Sequence, residues 1–178
     1  QMVRKVTWSS GTTYDMYRHD ISRSNTSKPS GATSLYYANY YVVNSDYRVY
    51  ICLNNGVGPE TPNGRPSLDE PTFTDLEPRT AGNSGDGYIW KYLYTIRPSE
   101  IVKFESTDFI PVPSDWETGS ESAAVRNNAI DGSLKIVTIT DRGVGLGTAN
   151  RTYTRVPIKG DGSGAECTIV VDNDQKVQ

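Results

Sequence analysis

Residues 83–98 read Asn-Ser-Gly-Asp-Gly-Tyr-Ile-Trp-Lys-Tyr-Leu-Tyr-Thr-Ile-Arg-Pro, and this stretch decides the fold. Its Gly-Asp-Gly segment is typical of a turn, and the nine residues that follow are rich in Tyr, Trp and Ile, which favour a strand. Pro98 is expected to end that strand. Because successive side chains of a strand point to opposite faces, one face is predicted to be almost entirely aromatic: Tyr88, Trp90, Tyr92 and Tyr94.

This aromatic face has two interpretations. It is either packed as a sandwich core or the covered face of a sheet, or it is exposed as a platform for a protein partner or a sugar ring. The sequence leaves both open. The residues expected to carry packing or contact between subunits are six aromatic residues and two prolines: Trp8, Tyr50, Tyr88, Trp90, Tyr92, Tyr94, Pro111 and Pro113.

The composition favours a β-rich fold. The chain has 178 residues, of which only 35% are hydrophobic, and it contains 16 Gly, 10 Pro and 12 Tyr. Many turns separated by short apolar runs are typical of β domains. We therefore predict a mainly β fold: a sandwich-like or barrel-like domain with long Pro- and Gly-rich loops, followed by a small C-terminal antiparallel β module.

Charge and hydropathy argue against two classes of partner. The net charge of −3, with Lys and Arg scattered along the chain, provides no basic field for nucleic acid. A membrane span needs a run of about 18 apolar residues, and the sequence has none. Cys52 and Cys167 lie in separate apolar runs without a metal-binding spacing. Because Gln1 precedes Met2, we expect both ends to be cut from a longer chain.

A hairpin is predicted before the aromatic strand. Residues 40–43 and 47–53 are β runs, and the Asn-Ser-Asp segment at 44–46 has the chemistry of a turn between them. The better core face of the second run consists of its alternate apolar residues Tyr47, Val49, Ile51 and Leu53.

Long irregular segments surround these strands. Residues 22–33 are too polar to pack and should form an exposed loop. Residues 54–84 contain five prolines and should make a long excursion over the surface. Residues 99–104 are predicted to form one helical turn capped by Ser99. Residues 109–113 should be an edge strand or a covering arm.

The last third of the chain has a different pattern. Residues 115–128 are polar and read as a linker, and residues 134–140, 153–158 and 165–171 are three strand candidates separated by Gly-rich turns. We therefore predict a β-rich domain over 1–117, a linker over 118–128 and a small Gly-rich β module over 129–178.

The sequence contains little that indicates catalysis. His19 is its only histidine, and no nucleophile elbow accompanies it. No spacing singles out a carboxylate pair of the glycosidase type. The Asp-Gly pairs lack the ligand series of a calcium loop and are ordinary turn chemistry. We predict that the chain is not an enzyme and binds no cofactor or metal.

Three segments carry a resemblance to a known family. They are Val-Val-Asn-Ser-Asp-Tyr-Arg-Val-Tyr-Ile-Cys-Leu at 42–53, the Gly-Asp-Gly turn with its aromatic strand at 85–98, and Phe-Ile-Pro-Val-Pro at 109–113. In this order, across about residues 4–117, they resemble the baseplate wedge subunit of T-even-like contractile-tailed bacteriophages. Residues 129–178 are similar instead to a small Gly-Asp-Gly-x-Gly-Ala β module found in many phage structural proteins.

The resemblance implies a non-enzymatic virion protein. Such a protein would be a β-rich, dimer-forming subunit of the tail baseplate, assembled in the host cytoplasm, and it would bridge neighbouring wedge proteins. Two other hypotheses come from the residues alone. The first is a carbohydrate-binding β module that uses exposed aromatic side chains, and the second is a hydrolase that uses His19.

Overall fold

The computed structural model describes residues 1–18, 37, 39–160 and 162–178. Over these residues the fold is mainly β, as the composition predicts. The chain forms two compact units, residues 1–138 and residues 139–178. The first contains β1 (Met2–Arg4), β2 (Tyr41–Val43), β3 (Arg48–Asn55), β4 (Tyr88–Thr95), α1 (Pro98–Phe104), β5 (Phe109–Pro111) and α2 (Ser120–Asn128), and the second contains β6 (Thr152–Pro157) and β7 (Glu166–Val170).

The central sheet confirms the predicted hairpin. Its strand order is β2-β3-β4, and both pairs are antiparallel. Asn44 forms the turn between β2 and β3, because its Oδ1 accepts hydrogen bonds from the backbone amides of Asp46 and Arg48 at 3.0 and 2.8 Å. Its Nδ2 donates to the carbonyl of Pro71 at 2.8 Å, which ties the following excursion to the turn.

A β-bulge places the aromatic side chains of β4 on two different faces of the central sheet. Tyr92 pairs with Tyr50, whereas Tyr94 pairs with Val49, so Leu93 is an extra residue between two consecutive pairs. An extra residue interrupts the alternation of side chains. The prediction of one aromatic face of four residues is therefore wrong for Tyr94. Tyr94 packs with Val49 on the opposite face from Tyr88, Trp90 and Tyr92.

The core face predicted for the hairpin is also wrong. Tyr50 and Cys52 are 0% exposed and lie in the main cluster, whereas Tyr47 is 37% exposed. Val49 is buried, but in the second cluster on the other face. The sheet is covered on both faces, so the simple alternation of one core face and one solvent face does not apply.

Two apolar clusters cover the two faces of the central sheet. The larger one consists of Tyr14, Val42, Tyr50, Cys52, Ala81, Tyr88 and Trp90. The smaller one consists of Val43, Val49, Ile96 and Ile110. Neighbouring residues such as Val42 and Val43 belong to different clusters, as expected for a strand that is buried on both sides. The sandwich or barrel arrangement of this domain stays a prediction.

The excursion between β3 and β4 is folded against the larger cluster. Arg79 exchanges two backbone hydrogen bonds with Trp90, at 3.0 and 2.9 Å, and the amide of Arg65 donates to the carbonyl of Asn55 at 2.8 Å. Ser67 and Pro71 are buried. The predicted surface excursion is therefore also a cover of the aromatic core, and at Arg65 and Arg79 its backbone is hydrogen-bonded to the strands that it covers.

The segments after β4 confirm some expectations and correct others. The predicted helical turn forms as α1, but Arg97 is its N-cap and makes no side-chain cap, while Pro98 is at its first turn. Proline suits this position because its missing N–H would have no partner there. Residues 109–111 form the predicted edge strand, and β5 pairs antiparallel with β1.

The predicted linker contains a helix. α2 covers residues 120–128, and its Val125 is 6% exposed. Arg126 donates from Nη1 to the carbonyl of Trp116 at 2.6 Å, which ties the helix to the segment before it. The sequence pattern does not predict this helix, because its composition is polar and few apolar residues recur at a helical period.

Two of the three strands predicted for the C-terminal module form, and both lie in the second unit. β6 and β7 form an antiparallel hairpin, and a single bridge pairs Val171 with Val177. Residues 134–140 form no strand, because no other strand of the described chain pairs with them. Leu134 and Val137 are 59% and 66% exposed. The predicted loop at 22–33 and His19 lie outside the described residues.

Candidate functional site

The predicted contact residues separate into buried and accessible groups. Tyr50, Tyr88 and Trp90 are each 0% exposed and belong to the core. Pro111 is also buried, and Trp8 is half-buried at the edge of the larger cluster, where its Nε1 donates to Ser67 Oγ at 3.1 Å. The remaining three, which are half-buried, converge on a small cleft at the end of β4: Tyr92, Tyr94 and Pro113.

Tightly packed rings form the buried group. Tyr88 stacks on Trp90 with a centroid distance of 5.3 Å and an interplanar angle of 19°. Tyr14 meets both rings edge-on, at 6.4 and 5.7 Å. The hydroxyl of Tyr88 donates to the carbonyl of Arg65 at 2.7 Å and accepts from the amide of Tyr14 at 2.9 Å. These rings offer no face to a ligand, and the core interpretation holds for them.

Sequence reasoning missed Tyr14 as a core residue. Tyr14 is 2% exposed, although it lies in an irregular segment with neither a helical nor a strand period. Its hydroxyl accepts from the amide of Ser9 at 2.6 Å. An aromatic side chain in a polar segment is the only signal that could have indicated its role.

Burial raises the pKa values of three tyrosines, two in the core and one at the cleft. It raises the pKa of Tyr50 to about 12 against the partly opposing charge of Arg48. Burial also raises the pKa values of Tyr88 and Tyr94. Each folded-state pKa lies above the value of about 10 for an unfolded chain, so the phenols stabilise the fold fully below pH 10 and lose that contribution as the pH rises above it.

We expect the free energy of unfolding to fall steeply between pH 10 and 12. A shift of about two units at Tyr50 corresponds to a loss of roughly 3 kcal/mol from this residue alone. Urea denaturation at successive pH values measures the loss. Tyr50→Phe has no phenol to ionise at this position, so its free energy of unfolding should depend less steeply on pH than that of the unchanged chain. Equal slopes in the two proteins would contradict a raised pKa for Tyr50.

A polar cleft forms where β4, α1 and α2 approach one another. It is lined by Tyr92, Tyr94, Thr95, Arg97, Glu100, Pro113 and Ser122, and its volume is about 80 Å³. Pockets for drug-sized ligands usually have volumes of roughly 300–1,000 Å³. The cleft therefore has room for one protein side chain.

The groups of the cleft are held in place by local hydrogen bonds. Tyr92 Oη and Thr95 Oγ1 lie 2.8 Å apart, and the hydroxyl of Tyr94 donates to the carbonyl of Pro111 at 3.1 Å. Arg97 Nη2 donates to Asp115 Oδ2 at 3.1 Å, and this hydrogen bond lowers the pKa of the Asp115 carboxyl. The cleft thus combines rigid rings, a paired cation and the carboxylate of Glu100.

A second, more open depression lies beside the β1–β5 sheet. It has a volume of about 360 Å³ and is lined by Arg4, Lys5, Thr107, Asp108 and Phe109. Lys5 forms an ion pair with Glu105. The depression holds no pair of groups arranged for acid–base or nucleophilic chemistry among the described residues.

The structure gives no metal or redox centre in the described ranges. Among those residues no group of three His, Cys, Asp or Glu side chains could hold a metal ion. Cys52 and Cys167 are both free, and burial raises the pKa of the Cys52 thiol, which disfavours the reactive thiolate. In the same part of the chain no helix has the length and apolar character to cross a membrane.

Comparison with known proteins gives no relative. Neither a protein-family model, nor a curated protein, nor a solved structure matches this chain.

Proposed function

We propose that this chain is a structural virion protein of a phage tail baseplate wedge, where it bridges neighbouring wedge subunits by protein–protein contacts. The observation that carries the proposal is the packing of the sequence segments that resemble the wedge family. The hairpin at 41–55 and the aromatic strand at 88–95 are hydrogen-bonded neighbours in one sheet. Segments that occur together in a sequence motif and also pack together act as one structural unit.

Exposed apolar side chains support a role in contact between proteins. Val102 and Phe104 on α1 are 87% and 50% exposed, Met2 on β1 is 46% exposed, and Phe109 on β5 is 41% exposed. β1 pairs with β5, and α1 packs on β5, so these side chains belong to one small substructure. Apolar surface concentrated in this way is typical of interaction sites.

The chain would contact other wedge proteins and a second copy of itself in the tail baseplate, and it would act without catalysis, cofactor or metal. The compact aromatic core, which is closed by the proline-rich excursion, supports this role, because a bridging subunit needs a rigid framework on which to present contact residues.

A carbohydrate-binding role would use different residues from those of the core. Tyr17 and Tyr37 are 40% and 65% exposed, and the Tyr17 ring meets Tyr40 edge-on at 5.5 Å. Exposed tyrosine rings can stack on sugars. A glycan array probed with the chain tests this second candidate: binding that Tyr37→Ala abolishes would favour it, and an array without signal would reject it.

Immunoelectron microscopy tests the location that we propose. Antibodies raised against the chain should label purified tailed phage particles at the end of the tail that carries the baseplate. Antibodies against the capsid serve as a control for label at the opposite end. Label on the capsid alone, or no label on any particle, would contradict the proposal.

A further inference from the structure

We propose that the cleft at the end of β4 is a socket for one basic side chain, Lys or Arg, of a neighbouring protein. This inference rests on the proposed role of the chain in contacts between subunits, and it names the chemistry of one such contact. The socket is the space lined by Tyr92, Tyr94, Arg97, Glu100 and Pro113, together with Thr95 and Ser122.

The charges of the socket favour a cation. Arg97 is already paired with Asp115, at 3.1 Å between Nη2 and Oδ2, so their charges largely cancel. Glu100 lies in the first turn of α1 and is half-buried. Among the described residues no ion pair or side-chain hydrogen bond occupies its carboxylate. Among the described side chains that line the cleft, the unbalanced charge is therefore the negative charge of Glu100, and a cation would balance it.

The tyrosines that line the socket, Tyr92 and Tyr94, add a second attraction for the same group. Ammonium and guanidinium groups are attracted to the faces of tyrosine rings, and this attraction increases when the site is partly desolvated. Tyr92 is held by its contact with Thr95 at 2.8 Å and by edge-on packing against Tyr50 at 5.8 Å. Its ring is consequently ordered before a partner arrives, which reduces the entropy lost on binding.

The size of the socket selects a single side chain. A volume of about 80 Å³ is too small for a drug-sized molecule but suits the end of a long side chain. Anchors of this kind, in which a basic or aromatic residue fills a small pocket, often dominate the affinity of an interface. An acidic side chain is disfavoured, because it would meet Glu100 while the only nearby cation, among the described residues that line the cleft, is engaged with Asp115.

The test uses the full chain and small probes that each carry one side chain. Backbone amide resonances are followed by NMR while Nα-acetyl-arginine amide, Nα-acetyl-norleucine amide or Nα-acetyl-glutamate amide is added. We expect only the arginine probe to give saturable shifts at residues 92–97, 99 and 100, with a Kd on the order of 1–10 mM, as befits a single side chain.

Two variants that each remove one carboxylate test whether Glu100 is responsible for the binding of the arginine probe. Glu100→Gln keeps the size of the side chain and should weaken the arginine probe by about five-fold or more. Glu60→Gln removes one negative charge from an exposed position that does not line the socket, and it should change the Kd by less than about two-fold. Equal binding of the neutral or the acidic probe, or an unchanged Kd in Glu100→Gln, would overturn the proposal.

Failure of the socket and failure of the proposed function give different results. Binding of the arginine probe by a chain that is absent from phage particles would reject the baseplate role and keep the socket. A chain that is present in particles but does not bind the probe would keep the role and reject the socket.

Discussion

A Trp90→Ala variant is expected to lose about 3–5 kcal/mol of the free energy of unfolding, which is the usual cost of truncating a large buried aromatic side chain. Trp90 is 0% exposed, stacks on Tyr88 at 5.3 Å and is met edge-on by Tyr14 at 5.7 Å. Removing the indole leaves a cavity in the larger cluster, between the rings of Tyr14 and Tyr88. Because domains are stable by only about 5–15 kcal/mol, this variant should be marginally folded.

Urea denaturation followed by circular dichroism measures the loss without depending on the fluorescence of the removed residue. Phe104→Ala truncates an aromatic side chain that is 50% exposed on α1, and it should cost less than about 1 kcal/mol. Trp90→Phe should cost less than alanine, because the Nε1 of Trp90 has no hydrogen-bond partner to lose among the described residues. An unchanged denaturation midpoint in Trp90→Ala would show that the residue is not in the core.

Gly87→Ala is expected to be nearly as damaging for a different reason. Gly87 has a φ of +85°, and a Cβ added there would lie 2.9 Å from the Cα of Gly56. The left-handed backbone costs an L-residue about 1–2 kcal/mol, and overpacking against another backbone adds about 1–3 kcal/mol. The Gly-Asp-Gly turn would have to move away from the excursion that it contacts.

Gly85 in the same turn is a matched control. Its φ of +71° imposes a similar backbone penalty, but a Cβ there would meet nothing within 4 Å. Gly85→Ala should therefore lose about 1–2 kcal/mol, and Gly87→Ala should lose clearly more when both are measured by urea denaturation. Equal losses would show that the close approach of Gly56 and Gly87 does not constrain the turn.

The sequence predicts the strands better than the faces that they bury. The hairpin at 40–53 and the strand at 88–95 follow from turn chemistry and from runs of β-branched and aromatic residues, which are local signals. The bulge at Leu93 depends on how β4 pairs with β3, and no local sequence pattern predicts it. A single extra residue is sufficient to move Tyr94 to the opposite face.

Elements that depend on distant partners were the hardest to predict. Residues 134–140 have the composition of a strand, yet a strand needs a neighbour, and the described chain supplies none there. α2 has a weak apolar period, and its position depends on Val125 and on the bond from Arg126 to Trp116. Propensity alone identifies neither outcome, because tertiary contacts decide both.

The sequence predicts only some of the residues of the candidate site. Tyr92, Tyr94 and Pro113 were predicted as contact residues and do line the socket, whereas Arg97 and Glu100 were not predicted. These two charged residues lie on either side of Pro98 and Ser99 in an ordinary polar segment, and only the fold places them beside the tyrosines. The sequence also does not predict that Tyr94 lies apart from the buried rings, because the β-bulge at Leu93 places it on the other face of the sheet.

Quantitative mass spectrometry of purified tailed particles tests the central claim most directly. The measured quantity is the copy number of this chain relative to the other tail proteins of the same particles. If the chain is a wedge subunit, it should be present at a fixed ratio that corresponds to a pair in each wedge, and the ratio should not change through successive purification steps. Absence of the chain from particles, or a ratio that falls with each step, would contradict the account.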